Sequence, residues 1–239
     1  MKDRLSNLKV AIKQPYFFPW IGFWQELYAV DQYVVYDDVN YINRGWINRN
    51  RILVNGEPKY FNLPMFGASQ NKLINQIRVN NGEKEIHRNC CIIHDAYRKA
   101  PYYKQVFPLI EKILRCKKEN VAEYLTYSIL QICDYLNIET EVVISSKLKK
   151  DNTLRAQDKI LEICQVLKAD EYIDSMGATK LYDKEIFSDY GIKLWFLKTG
   201  QISYKQYDNE FQSNLSIIDV MMFNDVEKIY EMLRQYSLT

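Results

Sequence analysis

Residues 9–38 read KVAIKQPYFFPWIGFWQELYAVDQYVVYDD, and the order of patterns within them decides the fold class. A short apolar run, Val10-Ala11-Ile12, leads into Gln14-Pro15-Tyr16-Phe17-Phe18-Pro19-Trp20-Ile21-Gly22-Phe23. A second run, Tyr33-Val34-Val35-Tyr36, closes on Asp37 and Asp38. Runs of this length, rich in β-branched and aromatic residues, predict strands over 9–13 and 33–37. Residues 21–29 between them predict a short helix, with Leu27 and Val30 placed to face the sheet. That connection is long enough for a right-handed crossover between parallel strands.

The same alternation returns further along the chain. Thr140-Glu141-Val142-Val143-Ile144 predicts a strand, and residues 153–167 an amphipathic helix through Leu154, Ile160, Leu161, Cys164 and Leu167. Tyr172-Ile173 and residues 192–197 follow as strands. Between the two blocks, residues 51–54 and 59–63 flank Asn55-Gly56-Glu57-Pro58 and predict a hairpin, since Asn-Gly favours left-handed turn geometry. An extended run at 77–79 comes next. Residues 83–98, 102–115 and 119–136 then predict three helices, the first limited by Pro101. Ser216-x-x-Asp219 resembles a capping box opening a helix through Met221, and residues 225–235 form a last helix. Strand–helix alternation of this kind predicts an α/β fold, a Rossmann-like, largely parallel sheet with helices on both faces. Residues 83–137 read as a helical insertion within a single domain spanning 1–239.

Composition narrows the function classes. Lys and Arg total 32 against 30 Asp and Glu, a formal net charge of +2, which argues against nucleic-acid or membrane-surface binding driven by charge. No run is long and apolar enough for a transmembrane segment, and residues 1–10 lack a signal-peptide core. None of the five cysteines forms a CxxC pair, so zinc and dithiol motifs are unsupported. The odd count points to free thiols and a cytoplasmic location.

Five constellations could carry chemistry. The loop Gln14, Tyr16, Trp20 and Gly22 lies at a strand end and a helix start, where free N–H groups suit an anion; it would equally serve as an aromatic plug. Asp37 and Asp38 end the second strand, at the sheet edge where open α/β folds bind ligands. Adjacent carboxylates point to opposite faces, so one of them binds a hydroxyl or acts as a base. Residues 43–51 interleave Arg44, Arg49 and Arg51 with Trp46 and Asn48, a composition suited to phosphate and ring recognition. His87 and His94 are two helical turns apart, too far for shared chelation; His94, beside Asp95 and Tyr97, is the better base. Ser145 and Ser146, with Ser175 and Gly177, supply small polar groups after two strands, which suits anion-binding loops. No GxSxG, P-loop or GxGxxG accompanies them.

Together these motifs resemble the WbqC-like family of bacterial proteins. The resemblance rests on the block at 14–23, on Tyr36-Asp37-Asp38-Val39, on Trp46-x-Asn48-Arg49-x-Arg51-Ile52, and on Tyr97-Arg98-Lys99-Ala100-Pro101-Tyr102-Tyr103. Ser145-Ser146 and Leu215-Ser216-Ile217-Ile218-Asp219 complete it, and it spans about residues 9–224. Two places depart from the family pattern. Lys13 stands where the family usually has His, and Asp174-Ser175-Met176-Gly177 where it favours a Gly-rich stretch. The resemblance implies a role in surface-polysaccharide (O-antigen) biosynthesis, as an acyl or aminoacyl transferase acting on a nucleotide-linked amino sugar. Asp37, Asp38 or His94 would then take the amine proton, and an acyl donor such as an acyl-CoA would be the co-substrate. The expected partner is a small nucleotide sugar, and the chain would suit a homo-oligomer. A nucleotidyl- or adenylyl-transfer enzyme and a non-catalytic partner of glycan assembly enzymes are the other readings.

Overall fold

The computed structural model describes residues 7–208 and 210–239 of the chain. Its first elements are β1 (Lys9–Lys13), α1 (Ile21–Tyr28) and β2 (Gln32–Val35), followed by β3 (Arg49–Val54), β4 (Glu57–Asn62), β5 (Met65–Phe66) and β6 (Arg78–Val79). Three helices come next, α2 (Glu83–Tyr97), α3 (Tyr103–Leu114) and α4 (Val121–Tyr135). The chain continues through β7 (Glu141–Ile144), α5 (Ala156–Leu167), β8 (Glu171–Ser175), α6 (Lys184–Asp189) and β9 (Lys193–Thr199). It closes with α7 (Ile217–Phe223), α8 (Val226–Leu233) and β10 (Tyr236–Leu238).

The main sheet runs β7-β2-β1-β8-β9-β10. All its pairings are parallel except that of β10 with β9. This is the strand order of a Rossmann-like, doubly wound sheet, and the order reverses between β1 and β8. Side chains of β1 show why both faces are covered. Ala11 belongs to one core with Leu27 of α1, Leu125 of α4 and Ile229 of α8, whereas Val10 and Ile12 belong to another with Ile160 and Cys164 of α5 and Phe187 of α6. The period-two alternation of a strand sends successive residues into two separate cores. The core of α2, α3 and α4, through Ile93, Ile110 and Leu125, is continuous with the α1 side.

The structure differs from the sequence expectations in several places. The hairpin turn is only Asn55-Gly56, both left-handed at φ 52° and 78°. Pro58 falls inside β4 opposite Leu53, so the strands are longer than the four-residue loop allowed. The second strand stops at Val35, and Asp37 turns its N–H back to the Val35 carbonyl. That turn frees the next two carboxylates from the sheet ladder. The capping box is half made: Ser216 Oγ accepts from Ile218 N–H at 3.2 Å, while the Asp219 carboxylate is bonded elsewhere. β5, α6 and β10 are too short to leave a periodic signature. No helix among the described residues is long and apolar enough to cross a membrane.

Candidate functional site

The carboxyl ends of β2 and β7 lie side by side, because Val35 pairs with Ile144. The residues that follow them therefore meet. Asp37 Oδ1 accepts the Ser146 backbone N–H at 2.9 Å, and its Oδ2 accepts the Ser146 hydroxyl at 2.6 Å and Asn75 Nδ2 at 3.2 Å. Asp38 accepts the Ser145 hydroxyl at 2.7 Å, Lys150 Nζ at 2.7 Å and Lys159 Nζ at 3.1 Å. As expected of consecutive residues, the two carboxylates serve opposite faces. Asp38 lines a cleft of about 590 Å³ on the α5 side, with Tyr36, Asn152, Arg155 and Lys159. Asp37 lines a second cleft of about 410 Å³ on the α4 side, with Asn120, Tyr127, Leu130, Ile144 and Lys147. Asn75 and Ser146 border both.

The first cleft is electropositive. Two buried ammonium groups face the single Asp38 carboxylate, and Arg155 adds an exposed guanidinium whose Nη1 donates at 2.8 Å to the Asn152 and Leu154 carbonyls. Burial alone would raise the Asp38 carboxyl, but its bonds to Lys150, Ser145 and Lys159 hold it below the usual range. Asp38 is thus a fixed counter-ion that positions the two lysines, and a poor proton acceptor. Lys159 Nζ also lies 5.2 Å from the centre of the Tyr36 ring. Helix α5 begins at this cleft, with Arg155 as its N-cap and Ala156 held at a left-handed φ of 47°.

At the reversal between β1 and β8 stands a buried ionic cluster. Lys13 Nζ pairs with Asp174, lies 3.1 Å from Glu26 Oε2 of α1, and donates to Ser175 Oγ at 3.0 Å. Tyr172 donates to the other Asp174 oxygen at 2.6 Å. Burial would lower the Lys13 ammonium, yet the two carboxylates hold it above its usual value. Burial pushes Glu26 up to about 7, against the attraction of Lys13. Residue 13 and residues 174–175 are therefore one bonded unit. Gly177 follows it, exposed, just beyond β8.

Of the loop residues, Tyr16, Trp20, Trp46 and Arg51 come together around a separate cavity of about 300 Å³, with Asn50 and Asn214. Gln14 is half-buried beside them in sequence. The rest of the arginine cluster disperses. Arg49 turns back onto the carbonyls of Arg44 and Gly45 and stacks 4.6 Å over Tyr60, and Arg44 is exposed at φ 59°. Asn48 is spent on Tyr41 and the Leu63 carbonyl. The three arginines do not converge, because Arg49 is held on its own turn while Arg51 alone reaches the cavity. The start of α1 is likewise closed to an anion. A Cβ on Gly22 would lie 2.4 Å from the Trp20 ring, so the glycine makes room for the indole that covers the first turn.

Two further residues lie away from both clefts. His94 accepts or donates at 2.7 Å to Tyr103 and packs edge-on against Phe107, lining neither sheet-edge cleft. Tyr97 is fully buried, accepting from Leu53 N–H at 2.9 Å and donating to Asp219 at 2.8 Å, which makes it a core strut. Conversely, Asn75, Lys150, Arg155 and Lys159 were missed. Lys159 carried a faint signal, a charge next to Ile160 and Leu161 on an otherwise apolar helix face.

Comparison with known proteins places these residues in context. The profile described as the WbqC-like protein family matches residues 14–231. The uncharacterized protein Rv1507c of Mycobacterium tuberculosis is 27% identical over 222 residues, covering 90% of this chain and 93% of that one. No solved structure matches.

Proposed function

From the premise that the chain belongs to the WbqC-like family, we propose that it is a transferase of bacterial surface-polysaccharide biosynthesis, moving an acyl or aminoacyl group onto a nucleotide-linked amino sugar. The observation that carries this reading is the meeting of two clefts at Ser146 and Asn75 on the carboxyl edge of β2 and β7. Group transfer needs two ligands whose reacting atoms touch, and proximity supplies much of the rate. The α5-side cleft suits the nucleotide sugar. Arg155, Lys159 and the first turn of α5 attract a diphosphate, and Tyr36 offers a ring face. The α4-side cleft suits the acyl donor, with Tyr127, Leu130, Val142 and Ile144 as an apolar wall and Lys147 at its rim.

At the junction the neutral amine attacks the acyl carbonyl carbon. A new C–N bond forms as the bond to the donor's leaving group, a thiol in an acyl-CoA, breaks. The amine proton passes to Ser146 Oγ as that hydroxyl gives its own to Asp37, 2.6 Å away, and Asp37 then returns a proton to the leaving thiolate. Asp38 holds Lys150 and Lys159 in place, and His94 takes no part.

The test combines calorimetric binding of UDP- and dTDP-amino sugars with thiol release from acyl-CoAs. Arg155→Gln should weaken nucleotide-sugar binding roughly tenfold, the scale of one charge-assisted contact. Asp37→Asn should keep binding and lose turnover, whereas Arg49→Ala and His94→Gln should behave as the unaltered protein. Absence of nucleotide-sugar binding, or indifference to Arg155→Gln, would overturn the assignment of the α5-side cleft.

A further inference from the structure

The aromatic cavity shares no lining residue with the two sheet-edge clefts. Three segments far apart in sequence build it: Tyr16 and Trp20 from the loop after β1, Trp46, Asn50 and Arg51 at the start of the hairpin, and Asn214 ahead of α7. Its volume, about 300 Å³, is at the small end for small-molecule sites, roughly 300–1,000 Å³. Three aromatic side chains in so small a space offer flat faces for a ring. Trp46 is 40% exposed, which leaves part of the indole open to a ligand.

Arg51 gives the cavity its charge. One Nη2 contact, at 3.1 Å to the Asn214 carbonyl, is the hydrogen bond its guanidinium makes, and its centre lies 5.9 Å over the Trp46 ring. Its Nε is buried and has no hydrogen-bond partner. That atom has no surface open to the cavity, so an anion on a ligand would meet the guanidinium through its Nη groups, as a charge-assisted contact. Among the described residues Arg51 is the one cationic side chain in the lining, so the cavity balances a single negative charge. The diphosphate-sized positive charge lies instead at Arg155 and Lys159. The amides of Asn50 and Asn214 line the same wall, although Asn50 Nδ2 is already committed to the Phe17 and Phe18 carbonyls.

We infer that this cavity is a second, non-catalytic binding site for a uronic acid residue of an acidic glycan, its pyranose ring stacked on Trp46 and Trp20 and its carboxylate held by Arg51. A further hollow of about 250 Å³ shares Trp20 and Asn214 in its lining, with Gln201, Tyr204 and Phe211. A glycan therefore crosses Trp20, with one residue in each hollow. The site recognises polymer or acceptor chain, and its occupation is independent of the chemistry at Ser146.

Quenching of indole fluorescence reads the site directly, because two of the four tryptophans line it. The probes are methyl glucuronide, a glucuronate-containing disaccharide, neutral methyl glucoside and glucose 6-phosphate. The expected result is binding of the glucuronide at least roughly tenfold tighter than the glucoside. The disaccharide should bind tighter still. Trp46→Leu, a change at an exposed ring, and Arg51→Gln should each abolish the preference, while Arg155→Gln leaves it intact. Equal binding of acid and neutral sugar, tighter binding of the phosphate, no quenching by any probe, or binding unaffected by Trp46→Leu would each overturn the inference.

Discussion

Lys13→Met isolates the energetics of the cluster at the β1–β8 reversal. The side chains of Lys13, Glu26 and Asp174 are 16%, 6% and 5% exposed, so little solvent compensates for a lost partner. Removing the ammonium leaves two buried carboxylates facing each other, and breaking a buried pair in this way costs about 3–5 kcal/mol. That is a large share of a total stability of roughly 5–15 kcal/mol. The loss carries a pH signature. Glu26 has a folded-state value of about 7 against 4.5 in the ordinary carboxyl, so the folded protein holds its proton more tightly. Stability therefore falls as pH rises through that window, by on the order of 3 kcal/mol, and levels off above it. Without Lys13 the Glu26 carboxyl rises further, so the window extends upward and the variant recovers part of its stability in mild acid. Lys13→Met with Asp174→Asn removes the ammonium together with the carboxylate bonded to it and should regain most of the loss, since apolar or neutral replacements of buried pairs are nearly neutral. Urea unfolding of the three proteins at about pH 5 and pH 8 measures both effects. A single-variant cost below about 1 kcal/mol, or a double variant no more stable than the single, would refute the reasoning.

Two further substitutions test the roles of residues that resembled site residues in the sequence. Gly22→Ala puts a methyl group 2.4 Å from the Trp20 ring and 2.8 Å from Thr199 Oγ1. It should displace the indole at a cost of about 1–3 kcal/mol, seen as a lower unfolding midpoint with a shifted tryptophan emission. Tyr97→Phe leaves the Leu53 N–H buried without an acceptor and should cost about 1–3 kcal/mol in urea unfolding. Its nucleotide-sugar affinity should equal that of the unaltered protein, and a change in affinity would return Tyr97 to the binding site.

Residues 9–38 made β1, α1 and β2 legible because each element carries its own local signal: an apolar run, a loop bounded by prolines, then another run. The strand-end rule likewise led to Asp37, Asp38, Ser145 and Ser146, which the β2–β7 register brings into contact. Lys159 was hidden for the opposite reason. Its partner Asp38 lies 121 positions away, and nothing local says that a lysine on an apolar face will be neutralised. Arg44, Arg49 and Arg51 are close in sequence yet do not converge in space. The turn at Arg44 and Gly45 consumed Arg49, and the hairpin carried Arg51 to Trp46 and Asn214. His94 was favoured for its neighbours in sequence, but its contacts are to Tyr103 and Phe107 on the next helix.

The pairing of Lys13 with Asp174 also sets a clock on synthesis. The two residues are 161 positions apart, so at about 5–20 residues per second the ammonium, with Glu26 already made, waits roughly 8–30 s for its second carboxylate. During that interval β1 can pair with β2, but its other edge stays open until β8 has been made. Lys9 and Lys13 at the two ends of β1 are the gatekeepers of that edge, since charged strand ends discourage pairing with a second nascent chain. The same lysine that closes the finished sheet thus guards it while it is unfinished, and chains truncated before residue 171 keep the exposed edge permanently.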